Sequence, residues 1–166
     1  MFGPEAEKGV HMPADLTARN IRTVDQYLEL MARAIFASGL SWAVVDKRWS
    51  EIRRAFGGFS ATKVAALTDA GLVDVLGTPG VIGNQSKVEA VREAAQLLLA
   101  RRSEFGSVGR WLDALGDFAA QAKALRKARF IGPFGAYYVL SVAGFEVPDY
   151  PSWLDEYARG MRARVS

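Results

Sequence analysis

The part of this sequence best equipped for chemistry is a Gly-Pro turn led by cations. In Phe130-Ile131-Gly132-Pro133-Phe134-Gly135, the glycines allow close approach to the backbone, and a helix is predicted to follow. A turn of this kind leaves amides unpaired at the positive end of the helix dipole, which is where a phosphate binds. Arg126, Lys127 and Arg129 precede the turn and would add a salt-dependent attraction for a polyanion. Taken alone, the same segment also fits an ordinary helix–helix connection with a solvated cationic face. Asp149, held between Pro148 and Pro151, is the next group of interest. A carboxylate there could stabilise a developing cation or orient a water, or simply end a turn or cap a helix. Trp42 offers a large flat face at the start of a predicted helix, a position more often taken by a core residue than by a pocket residue.

The elements that must position these residues are all helical. Thr23 caps a predicted helix running to about Ser38, and Ser41 caps a second from Trp42 to about Phe56. Ser60 opens a short one after Gly57-Gly58, and Thr68 another that ends at Gly77. A second glycine turn, Gly77 to Asn84, leads into a long amphipathic helix from Gln85 to about Arg102, with Val88, Val91, Ala95, Leu98 and Leu99 as its apolar stripe. Further helices are expected over 107–115, from Asp117 through Arg129, from Ala136 to Ala143, and from Ser152 to Arg164. The last pair but one forms a hairpin at about 123–143. No stretch alternates with period two long enough for a sheet, so the expected fold is an all-α orthogonal bundle. It occupies one domain, 23–166, after an irregular lead-in over 1–22.

Composition removes several classes of function. With no cysteine, the chain has no disulfide, thiolate metal site or cysteine nucleophile, and its only histidine, His11, is too isolated to anchor a metal. No apolar run approaches the ~18 residues of a membrane span. Residues Met1 to Glu5 lack the basic and apolar regions of a signal peptide. The expectation is a cytoplasmic monomer without metal or cofactor. A net charge of +3 leans only slightly toward nucleic acid.

The order of several blocks is more specific than any one of them. Phe130 to Tyr138, a helix, and then Val147-Pro148-Asp149-Tyr150 resemble the hairpin, Gly/Pro loop and aspartate of helix-hairpin-helix DNA glycosylases. Upstream, Ala37-Ser38-Gly39-Leu40-Ser41-Trp42, Lys47-Arg48, Arg54-Ala55-Phe56, Lys63 to Ala66, Gly80 to Ala90, and Lys123 to Lys127 are similar in order and spacing to the 3-methyladenine DNA glycosylase I family. That resemblance covers residues 27–150. It implies a helical glycosylase fold that binds damaged double-stranded DNA, everts a nucleotide and hydrolyses its N-glycosidic bond without a covalent intermediate. It further implies Asp149 at the mouth of a base pocket, Trp42 against the base, and Gly132, Gly135, Lys87, Arg126, Lys127 and Arg129 on phosphates. Three departures accompany it. Phe130 stands where the superfamily's hairpin commonly has its first glycine. The cysteine and histidine ligands of the family's zinc are missing. Ala34 stands where the family has a pocket glutamate, eight residues before Trp42. Glu29 lies on a different face of the same predicted helix and does not inherit that role.

Overall fold

The computed structural model describes residues 12–13, 15–81 and 83–165. The readings made on Met1 to Glu5 and on His11 therefore lie outside the described residues, as does Ile82 of the second glycine turn. Ten helices and no strand occur among the described residues. They are α1 (Val24–Ala37), α2 (Trp42–Lys47), α3 (Trp49–Ala55), α4 (Ala61–Ala65), α5 (Asp69–Leu76), α6 (Gln85–Phe105), α7 (Val108–Leu115), α8 (Phe118–Leu125), α9 (Pro133–Val142) and α10 (Tyr150–Val165).

Local chemistry accounts for most of the helix starts. The Thr23 hydroxyl accepts the Gln26 amide at 3.2 Å while the Gln26 side chain accepts the Thr23 amide at 3.0 Å, a reciprocal cap that fixes the start of α1. Ser41, Thr68, Asn84, Ser107 and Asp117 each cap the following helix through a side-chain oxygen. Where the expected boundaries shift, a tertiary or backbone reason is visible. The single helix expected over Trp42–Phe56 is broken at Arg48. The break turns Trp49 to stack on Phe59 (ring centroids 5.3 Å apart) and to donate its indole N–H to Glu29 at 3.0 Å. Helix α8 stops at Leu125, short of Arg129, because the amides of Lys127 and Ala128 fold into tight turns on Ala124 and Leu125. Helix α9 starts three residues early because Pro133 occupies its first turn, where a missing N–H costs nothing.

The long helix α6 is the spine, packed against α1, α4, α5 and α7, while α9 crosses between α1 and α8. Leu28, Met31, Ile35 and Phe36 of α1 meet Val88, Val91, Ala95 and Leu98 of α6 in the buried core. The alanines at 90 and 94 are also buried and allow these helices to approach closely. The described part of the lead-in lies against α9: the Arg19 amide donates to the Val142 carbonyl at 2.7 Å, and the Ser141 hydroxyl to that of Leu16 at 3.2 Å.

Candidate functional site

Two segments that are far apart in sequence face each other across a cavity of about 340 Å³. This lies within the ~300–1,000 Å³ range of small-molecule pockets. One wall is the end of α1 and the start of α2, from Ala34 to Trp42. The other is the turn between α8 and α9, comprising Phe130 and Gly132 to Gly135.

The first wall is shaped by caps. Ser38 ends α1, Gly39 takes φ +74, and the Ser41 hydroxyl accepts the Ala43 amide at 3.1 Å, setting Trp42 at the first position of α2. Trp42 is only 8% exposed, and its ring lies 4.7 Å from that of Tyr138 on α9 at a tilt of 52°. Lys87 secures this wall from behind. Its Nζ donates to the Phe36 carbonyl at 2.9 Å and the Ser38 carbonyl at 2.6 Å, at the C-terminal end of α1. Burial pushes the pKa of this ammonium below the ordinary lysine value. The expectation that Lys87 grips phosphate is corrected here: the side chain is spent on two carbonyls inside the protein, and the residue is 4% exposed.

The second wall carries the free amides. Gly132 is the N-cap of α9 and has no side chain to satisfy that end, while the Ala136 amide already turns back to the Gly132 carbonyl. Among the described residues, the amides of Gly132, Phe134 and Gly135 donate to no protein acceptor. Space beside Gly132 is open, with nothing within 4 Å of where a Cβ would stand. Gly135, by contrast, meets α1: a Cβ there would come 3.2 Å from that of Ala34. Ala34 itself is 3% exposed and puts only a methyl on the wall. Among the lining residues, Ser38 and Trp42 alone carry polar side-chain atoms, so among the described residues no carboxylate or ammonium faces the cavity.

The cations near the turn differ in availability. Arg126 and Lys127 are exposed, and neither joins an ion pair among the described residues. Arg129 is held by Glu93 at 2.9 Å and Glu89 at 3.4 Å on α6, and these partners raise its pKa. A phosphate would have to compete for it.

Asp149 is not part of the cavity lining. It is exposed at the start of α10, where its carboxylate accepts the Ser152 amide at 3.3 Å and hydroxyl at 3.0 Å. The structure thus unites Trp42, Ala34, Gly132 and Gly135 and leaves Asp149 outside, in the role of a helix cap. The loop carrying it is tied down by Tyr137, whose hydroxyl donates to the Pro148 carbonyl at 2.6 Å. Glu29 is likewise elsewhere, accepting from Trp49 and paired with Arg53 at 3.3 Å.

One supporting feature was not anticipated from sequence. Phe134 lines the cavity and also packs edge-on against Trp153 and Tyr157 of α10, each at 5.3 Å between centroids. The spacing of Trp153 and Tyr157 by four residues is the signal for one aromatic helix face. A second cavity, of about 360 Å³, opens between Arg22, Ser60 and Arg102, away from the turn and from Trp42. Its slightly larger size gives it no chemistry. Among the described residues, no cluster of acidic or histidine side chains could hold a metal, and no helix is long and apolar enough to cross a membrane.

A helical bundle with an amide-bearing turn beside an aromatic hollow puts an anion site next to a cavity of small-molecule size. Residues 19–131 match the methyladenine glycosylase family. The chain belongs to that family, the base-excision repair hydrolases whose substrate is DNA. The match ends one residue before Gly132, so α9, α10 and Asp149 lie beyond it. Among solved structures, the 3-methyladenine DNA glycosylase I of Staphylococcus aureus is similar, with 21% identity, a TM-score of 0.68, and coverage of 77% of this chain and 80% of the other. A tyrosine-to-phenylalanine variant of 3-methyladenine DNA glycosylase I in complex with 3-methyladenine gives 22%, 0.68, 77% and 81%. A solution structure of 3-methyladenine DNA glycosylase I gives 18%, 0.65, 86% and 84%. At these identities the likeness establishes a shared fold, the all-α helix-hairpin-helix glycosylase type. No curated protein matches the chain.

Proposed function

We propose that this protein, acting as a monomer without metal or cofactor, excises an alkylated purine such as 3-methyladenine from double-stranded DNA through the Trp42 cavity. One observation carries the reading. The turn with unpaired amides at Gly132, Phe134 and Gly135 is also a wall of the cavity, so a strand held there delivers its nucleotide to the hollow. Arg126 and Lys127 extend the grip along the backbone without reading sequence.

Eversion costs a few kcal/mol, and less at a weakened pair. Stacking on an aromatic ring returns about 1–3 kcal/mol per base. A purine alkylated on a ring nitrogen is cationic, so the Trp42 indole gains a further ~0.5–2 kcal/mol that an undamaged base does not supply. That charge also explains how the site works without an acid. When the bond to the sugar breaks, its electron pair neutralises the base, which leaves uncharged. Water adds to the sugar carbon and releases its proton to solvent. The cavity's part is to hold the base dry and flat during this step. Lys87 is committed to two carbonyls and is absent from the lining, so among the described residues no amine is placed to attack the sugar, which supports monofunctional hydrolysis. Asp149 is given no part in activating water, since its carboxylate caps α10.

Chromatography of bases released from alkylated duplex DNA tests the reading. Wild type should release a free methylated purine, and Trp42→Ala should lose at least about tenfold in rate, equivalent to one stacking contact. No release across alkylated, deaminated and oxidised duplexes, with salt-dependent DNA binding intact, would instead indicate a DNA-binding relative without activity.

A further inference from the structure

Only two residues other than glycine have positive φ among the described residues, Phe59 at 61° and Phe130 at 64°. A bulky side chain in this left-handed region is a real outlier, because its Cβ crowds the backbone where glycine's absent Cβ would not. Strain of this kind persists only when the surroundings enforce it, and it gathers at functional sites. For Phe59 the enforcement is plain. It is fully buried, stacked on Trp49 at 5.3 Å and on Phe56 at 5.2 Å.

For Phe130 the turn itself enforces it: the Ile131 amide donates to the Ala128 carbonyl at 3.2 Å, which puts Phe130 at the third position of the turn, where a positive φ belongs. Phe130 is half-buried at the rim of the core, and among the described residues it touches no other ring. Its one specific neighbour is the Lys87 ammonium, 6.0 Å from the ring centroid, at the outer limit of a cation–π contact. The ring lines the cavity from the hairpin side, while Trp42 lines it from the α1–α2 side, and the two do not contact each other. An aromatic residue on a cavity wall that makes no ring contact of its own leaves a face for a flat ligand to cover.

We propose that Phe130 is a second stacking face of this pocket, selecting for planar heteroaromatic bases by closing on them opposite Trp42. The proposal rests on the reading of the cavity as a base pocket, and it adds a specificity-determining residue on the hairpin itself. No bond is made or broken by Phe130. It acts by removing apolar area of the base from water and by excluding water from the side of the base remote from Trp42.

The test uses the whole chain, with free 3-methyladenine as the probe in titration calorimetry and a thermal melt of each variant. Phe130→Gly places at this φ the residue that tolerates it best, so its melting temperature should equal or exceed that of wild type, while its affinity for the base falls about tenfold. Phe130→Leu keeps apolar bulk without a ring and should lose affinity to a similar degree. A glycine variant that binds as tightly as wild type overturns the proposal and leaves the base pocket standing. So does one that loses affinity only together with a lowered melting temperature, since that is what a mere packing residue would do. Wild type binding no base at all would overturn the pocket reading, and this proposal with it.

Discussion

Replacing Lys87 with methionine separates what the structure assigns to this residue from what its sequence context suggests. Methionine keeps most of the length and volume but removes the ammonium. Two charge-assisted hydrogen bonds vanish, to the carbonyls of Phe36 and Ser38, and among the described residues neither oxygen has another donor. Bonds to a charged group are worth about 1.5–3 kcal/mol each, with ~0.3–1 kcal/mol more from a cation at a helix C-terminus. Against this runs the cost of burying the charge, visible in the lowered pKa of the ammonium. The net loss expected is about 2–4 kcal/mol, which lowers the melting temperature of a domain this size by about 5–15 °C. Calorimetric melting at neutral pH measures it, and DNA affinity at several salt concentrations completes the assay. The structure predicts a large fall in Tm with the salt slope unchanged. An unchanged Tm together with a salt slope smaller by about one unit would mean that Lys87 reaches a phosphate after all.

Three further outcomes follow from particular contacts. Tyr27 is 2% exposed, and burial, with a smaller push from Asp113, raises its pKa to about 12. The unfolded chain gives up this proton near pH 10 and the folded chain keeps it. The stabilisation is therefore complete below pH 10 and is lost as pH rises toward 12, so Tyr27→Phe should show a shallower fall of Tm across that window. Asp149→Asn should release base within about threefold of the wild-type rate, because the carboxylate caps α10 and is not on the cavity wall, whereas a hundredfold loss would return it to the chemistry. Gly135→Ala should cost about 1–3 kcal/mol by thermal or urea unfolding, since its Cβ would sit 3.2 Å from that of Ala34 and force α1 and α9 apart.

What the sequence revealed and what it concealed divide along a physical line. Thr23, Ser41 and Thr68 announce helix starts because a cap is a local hydrogen bond spanning two or three residues. Gly132 and Pro133 were legible as a turn opening a helix for the same reason. The break at Arg48 was not, because it depends on Trp49 reaching Phe59 and Glu29, contacts that no local pattern encodes. Lys87, expected on a phosphate, turns inward to two carbonyls, and the sequence holds a signal for it. The residue shares the stripe of Val91, Ala94 and Leu98 on α6, at helical spacing from each, and so had to point at α1. Asp149 follows the hairpin in the order that the resemblance implies, but the direction of its side chain is set by where α10 begins. The left-handed backbone of Phe130 could be suspected only from the glycine that the superfamily commonly has there.

The account stands or falls on whether the hairpin turn and the aromatic hollow engage one strand together. Isotope-labelled protein titrated with a duplex carrying a single alkylated adenine measures this directly by NMR. The backbone amides of Gly132, Phe134 and Gly135 and the indole N–H of Trp42 should shift in parallel and saturate at one equivalent. If the duplex instead moves only signals from Arg159, Arg162 and their neighbours on α10 while the turn and Trp42 stay unmoved, DNA binds elsewhere and the central claim fails.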